Sequence, residues 1–238
     1  MKKGFTLSEV LVTLGIVGVV AVLTVPGVMK NYSNKMYTTE LQKVYTQLAD
    51  AAQAIMNDEH VDNFYETSVS AICTEDGKKC EVGPKGFLNR YIKSTKKDCG
   101  DKGETQGTCI SSNGNYKAMN SANITPPSSR SSYCVQTTSG AAICSLGNVN
   151  YVGENRLPIL SFIVDVNGLS QPNIAGRDVF SMDIRQDGSV VDYGTGGNPD
   201  SIGCPATHCG GTDHVSNMQD AARGCLNSVI ESGWKMEY

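Results

Sequence analysis

The chain opens with a long uncharged run that changes into an amphipathic pattern. Residues 10–29 carry no charge, and at about 1.5 Å per helical residue they reach about 30 Å, the thickness of the hydrocarbon core of a bilayer. After Lys30 apolar residues recur at helical spacing, at Tyr37, Leu41, Val44, Tyr45, Leu48, Ala52, Ile55 and Met56. The pattern predicts one long helix ending near residues 57–59. Its first half is expected to lie in lipid, and its second half to pack one face onto a soluble domain.

The middle of the chain is less regular. Residues 85–93 predict a short helix, and residues 94–132, rich in Ser, Thr, Asn and Gly, predict surface loops. Residues 133–136 and 142–145 are two apolar segments on either side of Thr138-Ser139-Gly140. This arrangement predicts a β-hairpin.

The last third predicts strands and a closing helix. Three segments separated by Asn-Gly and Asp-Gly turns predict an antiparallel meander of three strands, at residues 159–166, 179–184 and 189–193. Residues 218–231 predict a helix whose inward face holds Ala222, Cys225, Leu226, Val229 and Ile230. Trp234 is expected to pack after this helix.

Glu9 interrupts the apolar character at the beginning of the long helix. A carboxylate there is unusual in a plain membrane anchor, since placing one in lipid costs about 2.5–3.5 kcal/mol. One explanation is local, because residues 6–9 fit a capping box with Thr6 as the N-cap. A carboxylate in the first turn also suits the helix dipole.

The capping explanation does not cover Gly4-Phe5 before the glutamate or Gly18 and Pro26 after it. With Glu9, these residues resemble the class III signal of type IV pilins and type II secretion pseudopilins. The resemblance implies that prepilin peptidase cuts after Gly4, that Phe5 is then N-methylated, and that Glu9, Gly18 and Pro26 serve assembly. Pro26 and the glycines before it favour local unwinding of the helix, or else close packing against other helices.

The resemblance also implies an α+β, pilin-like fold, with the long helix packed on an antiparallel sheet and with disulfide-rich loops. The expected divisions are a leader at residues 1–4, a transmembrane or filament-core half-helix at 5–29, an amphipathic half-helix at 30–57, and an exported globular domain at 58–238. The expected partners are prepilin peptidase, identical or related pilin subunits, and the inner membrane before assembly.

The same resemblance implies a location. The N-terminus is expected in the cytoplasm and the C-terminal domain outside it, first as a single-pass membrane protein and then in a cell-surface or periplasmic filament. A pilus and a secretion pseudopilus both remain open, as do a major and a minor subunit.

Composition narrows the function. The net charge of −4 becomes −6 when Lys2 and Lys3 leave with the leader, and no basic block is present, so nucleic acid is not a predicted partner. No motif of a serine hydrolase, a zinc protease or a phosphate loop occurs, so a structural protein without a cofactor is predicted rather than an enzyme. The alternative from another class is a membrane-tethered extracytoplasmic binding or adhesin module that never polymerises.

Nine cysteines, all beyond Val69, favour an oxidising compartment for the C-terminal part. Their spacing suggests local disulfides, Cys73/Cys80, Cys99/Cys109, Cys134/Cys144 and Cys204/Cys209. Because nine is odd, at least one thiol is left over or pairs with another chain. Cys225 competes with Cys204 or Cys209 as a partner, like the C-terminal disulfide loop common in pilins.

Two metal alternatives are weighed against these interpretations. Cys204, His208, Cys209 and His214, with Cys225, hold enough ligands for zinc but lack the usual Cys-x2-Cys pair, and disulfides are favoured. Residues 165–168 and 183–188 suggest calcium, yet Arg185 replaces an oxygen ligand and no glutamate closes the loop. Turn chemistry is the favoured explanation of both runs.

Overall fold

The computed structural model describes residues 4, 6–69, 83–96, 99, 109–110, 116–119, 121–125, 133–148, 160–193 and 218–237. Its longest element is the helix α1, Leu7–Glu59, which confirms the predicted long helix and its end. Contacts divide the chain into two units, Met1–Met36 and Tyr37–Tyr238. The first unit contains α1 as far as Met36, and the second holds the rest of α1 and all the other elements.

The second unit is built on a six-stranded antiparallel sheet in which each strand pairs with the next along the chain. The strands are β1 (Ser94–Lys96), β2 (Tyr133–Thr137), β3 (Ala142–Asn148), β4 (Leu160–Asp165), β5 (Val179–Ile184) and β6 (Val190–Asp192). The helices are α2 (Gly83–Tyr91), α3 (Met218–Ala221) and α4 (Cys225–Glu231), with a short 3-10 helix at Phe64–Glu66. The architecture is α+β and pilin-like, as predicted.

The main core lies between one face of the sheet and one face of α1. The buried residues of α1 recur every three or four positions and are Tyr37, Thr38, Leu41, Val44, Leu48, Ala51, Ala52, Ile55 and Met56. All of them except Thr38 form one apolar cluster with Leu160, Phe162 and Val164 of β4. The predicted stripe is confirmed, because a helix with apolar residues at this spacing buries one face.

Strand β4 is buried on both faces, as its nearly continuous apolar sequence predicts. Successive side chains of a strand point to opposite faces, so Ile163 lies on the face away from Phe162. There Ile163 joins a second apolar cluster that includes Tyr116, Val179 and Ala222. The hairpin of β2 and β3 is also confirmed, with Cys134 opposite Cys144 in register.

The sheet is larger than the three-stranded meander predicted from the sequence. The β2–β3 hairpin joins it because β3 pairs with β4, with Ile143 opposite Val164. The prediction of surface loops over residues 94–132 is wrong at Ser94–Lys96, which forms β1. This strand has no apolar alternation and is held by backbone pairing with β2, with Ser94 opposite Thr137. Ile110, Tyr116 and Ile124 are buried rather than on the surface.

The helices at the two ends of the sheet region also differ in detail from the prediction. Helix α2 begins two residues earlier than predicted. The prediction of a single closing helix over residues 218–231 is wrong, because α3 ends at Ala221 and α4 begins at Cys225. Gly224 between them has a φ of 81°, in the left-handed region that glycine tolerates and that interrupts a helix. Trp234 packs as predicted, with its ring edge-on to that of Tyr45 at 5.4 Å between centroids.

Candidate assembly site

The first turn of α1 holds the Glu9 carboxylate in place. Its Oε2 atom accepts hydrogen bonds from the Thr6 backbone N–H at 2.8 Å and from the Thr6 hydroxyl at 2.7 Å. In return the Glu9 backbone N–H donates to the Thr6 hydroxyl oxygen at 3.3 Å. This reciprocal pattern is a capping box, which satisfies N–H groups that have no partner within the helix. The capping prediction is confirmed.

The apolar part of α1 presents its side chains outward. Every large apolar residue from Leu7 to Met29 exposes at least 42 % of its surface. This stretch is long and apolar enough to cross a membrane by length and composition. An exposed apolar surface of this extent is unstable in water and marks a surface that lipid or other protein covers.

Gly18 and Pro26 lie within this stretch. Helix α1 is continuous through both, so the local unwinding that they favour is not present in the single chain. A Cβ atom added at Gly15 or Gly18 would meet nothing within 4 Å, so packing within the chain does not require either glycine. Their predicted roles in assembly therefore stay predictions.

The predicted cleavage point lies at the edge of the described chain. Gly4 is exposed, while Phe5 lies outside the described residues, as do Lys2 and Lys3. A protease must bring an extended, accessible backbone to its active site, and an exposed glycine just before a helix meets that condition. Cleavage there would leave Thr6 as the second residue of the mature chain.

Two disulfides join cysteines that the sequence spacing suggested as pairs, Cys99–Cys109 and Cys134–Cys144. All four cysteines are buried, and with Ile110 and Ala142 they form a small cluster of their own. Buried disulfides of this kind persist in oxidising compartments.

Of the remaining cysteines, only Cys225 is among the described residues. Cys225 is disulfide-bonded, and its partner lies outside the described residues. A cysteine in a disulfide has no thiolate to give a metal, so Cys225 does not complete a zinc site while it is oxidised. The other cysteines and histidines of the zinc alternative, Cys204, His208, Cys209 and His214, lie outside the described residues, as do Cys73 and Cys80.

The acidic turn between β4 and β5 uses its carboxylates for backbone capping. Asp178 accepts N–H hydrogen bonds from Asn173 at 2.8 Å and from Ile174 at 2.6 Å, and it also accepts one from the Asn167 amide. Asp165 accepts hydrogen bonds from the Asn167 N–H and from the Tyr116 hydroxyl. Both carboxyl groups are thus engaged by N–H and O–H donors of the protein, which favours turn chemistry over calcium.

Burial governs the ionisation of this turn. It raises the pKa of Asp165 well above its usual range, and the nearby Asp178 carboxylate adds to the rise. The pKa of Asp178 is raised by burial too, although the N–H donors of Ile174 and Asn173 offset part of the rise.

One buried acid has no signal in the sequence. Asp192, the last residue of β6, accepts hydrogen bonds from the backbone N–H groups of Gly224 and Asn227 at the beginning of α4. The two partners are 32 and 35 residues away along the chain, so no local pattern announces the contact. The sequence predicted a strand at residues 189–193 and no role for the aspartate within it.

Comparison with known proteins bears on the N-terminal segment. Residues 1–25 match the family described as the prokaryotic N-terminal methylation motif. Searches of curated proteins and of solved structures gave no match. The matched residues include Gly4, Phe5, Glu9 and Gly18, together with the first part of the exposed apolar helix. The N-terminal segment of this chain is therefore the class III prepilin signal of type IV pilins and pseudopilins.

Proposed function

We propose that this chain is a structural subunit of a type IV pilus or of a type II secretion-like filament, cut after Gly4 by prepilin peptidase and assembled through α1. The observation that carries the proposal is the first unit itself. This unit is an exposed apolar helix that carries the methylation motif, and its first turn holds the Glu9 carboxylate in place. Such a helix fits lipid before assembly and the helices of neighbouring subunits afterwards.

Two independent features support one orientation in the membrane. Lys2 and Lys3 precede the apolar stretch, and basic residues flanking a span favour the cytoplasmic side. The disulfides Cys99–Cys109 and Cys134–Cys144 lie beyond the span and favour an oxidising compartment. Both support an orientation with the N-terminus inside the cytoplasm and the second unit outside it.

The proposed assembly step is the pairing of two opposite charges at the tip of the apolar helix. Cleavage after Gly4 frees the amine of Phe5, a cation at the tip of the apolar helix. Each charge is costly alone in lipid, by about 2.5–3.5 kcal/mol for a carboxylate on insertion scales. Pairing the Phe5 amine of one subunit with the Glu9 carboxylate of its neighbour offsets both costs. The pair then sets the register between subunits, while the apolar residues supply the packing area.

Variants of Glu9 test this step, because they separate its charge from its capping role. Glutamine keeps an oxygen that accepts hydrogen bonds from Thr6 but carries no charge, whereas alanine loses both. We expect Glu9→Gln and Glu9→Ala to be cut and held in the membrane, and to give few filaments by electron microscopy. Asp50→Asn is the matched control, since Asp50 is an exposed acid on the same helix, and it should assemble normally.

Two results would overturn the charge-pair role. Wild-type numbers of filaments from both Glu9 variants would show that the residue is dispensable. Wild-type numbers from Glu9→Gln alone would show that the residue acts only as a helix cap.

A second candidate function is a tethered binding module that stays monomeric. One feature favours it, a cleft of about 610 Å³ between α1 and the β2–β3 turn. The side chains around it come from polar residues, whose carbon stems form part of the lining: Thr39, Gln42, Lys43, Thr46, Gln47, Thr138 and Ser139. Such hydroxyl and amide groups suit a small hydroxylated ligand. A monomeric module has no use for cleavage after Gly4, so the state of the mature N-terminus separates the two functions.

A further inference from the structure

Helix α4 receives its N-terminal cap from a different element. The N-cap residue Gly224 has no side chain to cap with, and the Asp192 carboxyl group of β6 takes its place. Asp192 Oδ1 accepts the Gly224 N–H at 2.7 Å, and Oδ2 accepts the Asn227 N–H at 3.1 Å. The Asp192 side chain is completely buried. The cap therefore docks α4 onto the sheet through a carboxyl group that water does not reach.

Residues 218–237, here named the C-terminal segment, are also held at the far end of α4. The Trp234 N–H donates to the Val229 carbonyl oxygen at 2.7 Å, and the Trp234 ring meets the Tyr45 ring of α1 edge-on. Leu226 and Val229 are buried in the main core between these two attachments. Loss of the Asp192 cap or of the Trp234 contacts should therefore loosen the packing of the whole C-terminal segment.

We propose that the protonation state of Asp192 controls how firmly the C-terminal segment is docked. The segment is firmly docked when the carboxyl group is neutral and is loosened when the group is ionised. This device is independent of the filament function, because it lies wholly within the second unit.

The direction follows from burial. A buried carboxylate loses its hydration, which raises the pKa of Asp192 to about 7, although the N–H donors of Gly224, Asn227 and Leu226 offset part of the rise. The negative charge of Asp183 on β5 adds to it. The folded value lies above the ordinary 3.8. The stability that Asp192 contributes is therefore full below about pH 4 and is lost as the pH rises through about 7.

Other ionisable groups lie on the elements packed around β6. Tyr45 on α1 donates its hydroxyl to the Val190 carbonyl oxygen at 3.3 Å, while Glu231 on α4 and Arg223 before it are exposed. Among the described residues, Asp183, which accepts the Ser161 hydroxyl at 2.6 Å, contributes a negative charge that raises the pKa of Asp192. Changing Asp183, which is itself buried, should therefore move the transition, whereas changing the exposed Glu231 should not.

The chain has a single tryptophan, so Trp234 reports the docking of this segment directly. The full chain in detergent micelles is titrated from about pH 5 to about pH 9 while Trp234 emission is recorded. We expect a red shift with rising pH and a midpoint near 7. Asp192→Asn should remove the transition, because asparagine carries no titrating proton. Asp183→Asn should move the midpoint to lower pH, because it removes a like charge.

Several results would overturn the proposal. These are a flat wild-type titration, a blue shift with rising pH, or the same transition in Asp192→Asn. If Asp192→Asn does not fold, Asp183→Asn decides alone: a midpoint moved to lower pH supports the proposal, and an unchanged midpoint refutes it.

Discussion

The packing of α1 on the sheet can be tested by deleting one side chain. Leu48 lies on the buried stripe of α1, is completely buried and belongs to the main core. Leu48→Ala removes three buried carbons, which are worth about 2.4 kcal/mol at about 0.8 kcal/mol each. A residual cavity of about 50 Å³ adds about 1.2 kcal/mol at about 24 cal/mol per Å³. The expected loss is about 3.5 kcal/mol from a total of about 5–15 kcal/mol for a domain.

The assay is chemical unfolding of the full chain in detergent, followed through Trp234 emission. Trp234 packs against Tyr45 of α1, so its emission reports the loss of this packing. Thr46→Ala is the matched control, since Thr46 is two residues away and exposed, and its hydroxyl only returns to the Gln42 carbonyl oxygen. The control should change the free energy of unfolding by less than about 0.5 kcal/mol.

An equal free energy of unfolding for Leu48→Ala and Thr46→Ala would refute the packing of α1 on the sheet. It would mean that the buried stripe of α1 contributes no more than its exposed face, and that the second unit is held together without the helix. A loss of about 1 kcal/mol or less from Leu48→Ala would contradict the worked magnitude.

Two further changes probe the sheet region. Replacing Cys134 and Cys144 together by alanine removes a disulfide with a sequence separation of 10. Chain entropy predicts that the free energy of unfolding falls by about 2–3 kcal/mol in the same unfolding assay. An unchanged unfolding midpoint would contradict this. Gly168 has a φ of 62°, and a Cβ atom there would lie 2.6 Å from the Gly140 carbonyl oxygen, so Gly168→Ala should cost about 1–3 kcal/mol. Gly27→Ala, where a Cβ atom meets nothing within 4 Å, is its control, and equal effects would refute the close contact.

Local sequence patterns predicted the elements that are determined by interactions between residues close together in the chain. The stripe on α1 and the β2–β3 hairpin around Thr138-Ser139-Gly140 follow from helical spacing and from a turn that favours glycine, whose φ at Gly140 is 95°. The capping box of Thr6 and Glu9 is local as well, since its partners are three residues apart.

Other features depend on contacts distant in sequence, and no local pattern shows them. Strand β1 has the polar sequence Ser-Thr-Lys, and it exists because β2 offers it a row of backbone partners. The break before α4 combines a left-handed glycine with a carboxylate from β6, and only the folded chain brings these together. The size of the sheet was missed for the same reason, because the pairing of β3 with β4 joins two predicted segments.

The assembly site divides in the same way. The motif around Gly4, Phe5 and Glu9 is readable in the sequence, and the match over residues 1–25 agrees with it. The predicted roles of Gly18 and Pro26 concern contacts between subunits, which a single chain does not contain, and they stay predictions.

The most direct test of the account is the mass of the mature N-terminus, measured by mass spectrometry on protein taken from the cell envelope. The account predicts a chain that lacks residues 1–4 and begins at Phe5 with one added methyl group. Gly4→Leu should block the cut and retain Met1, which provides the reference mass. Wild-type protein that still begins at Met1 would contradict the account and favour the tethered binding module.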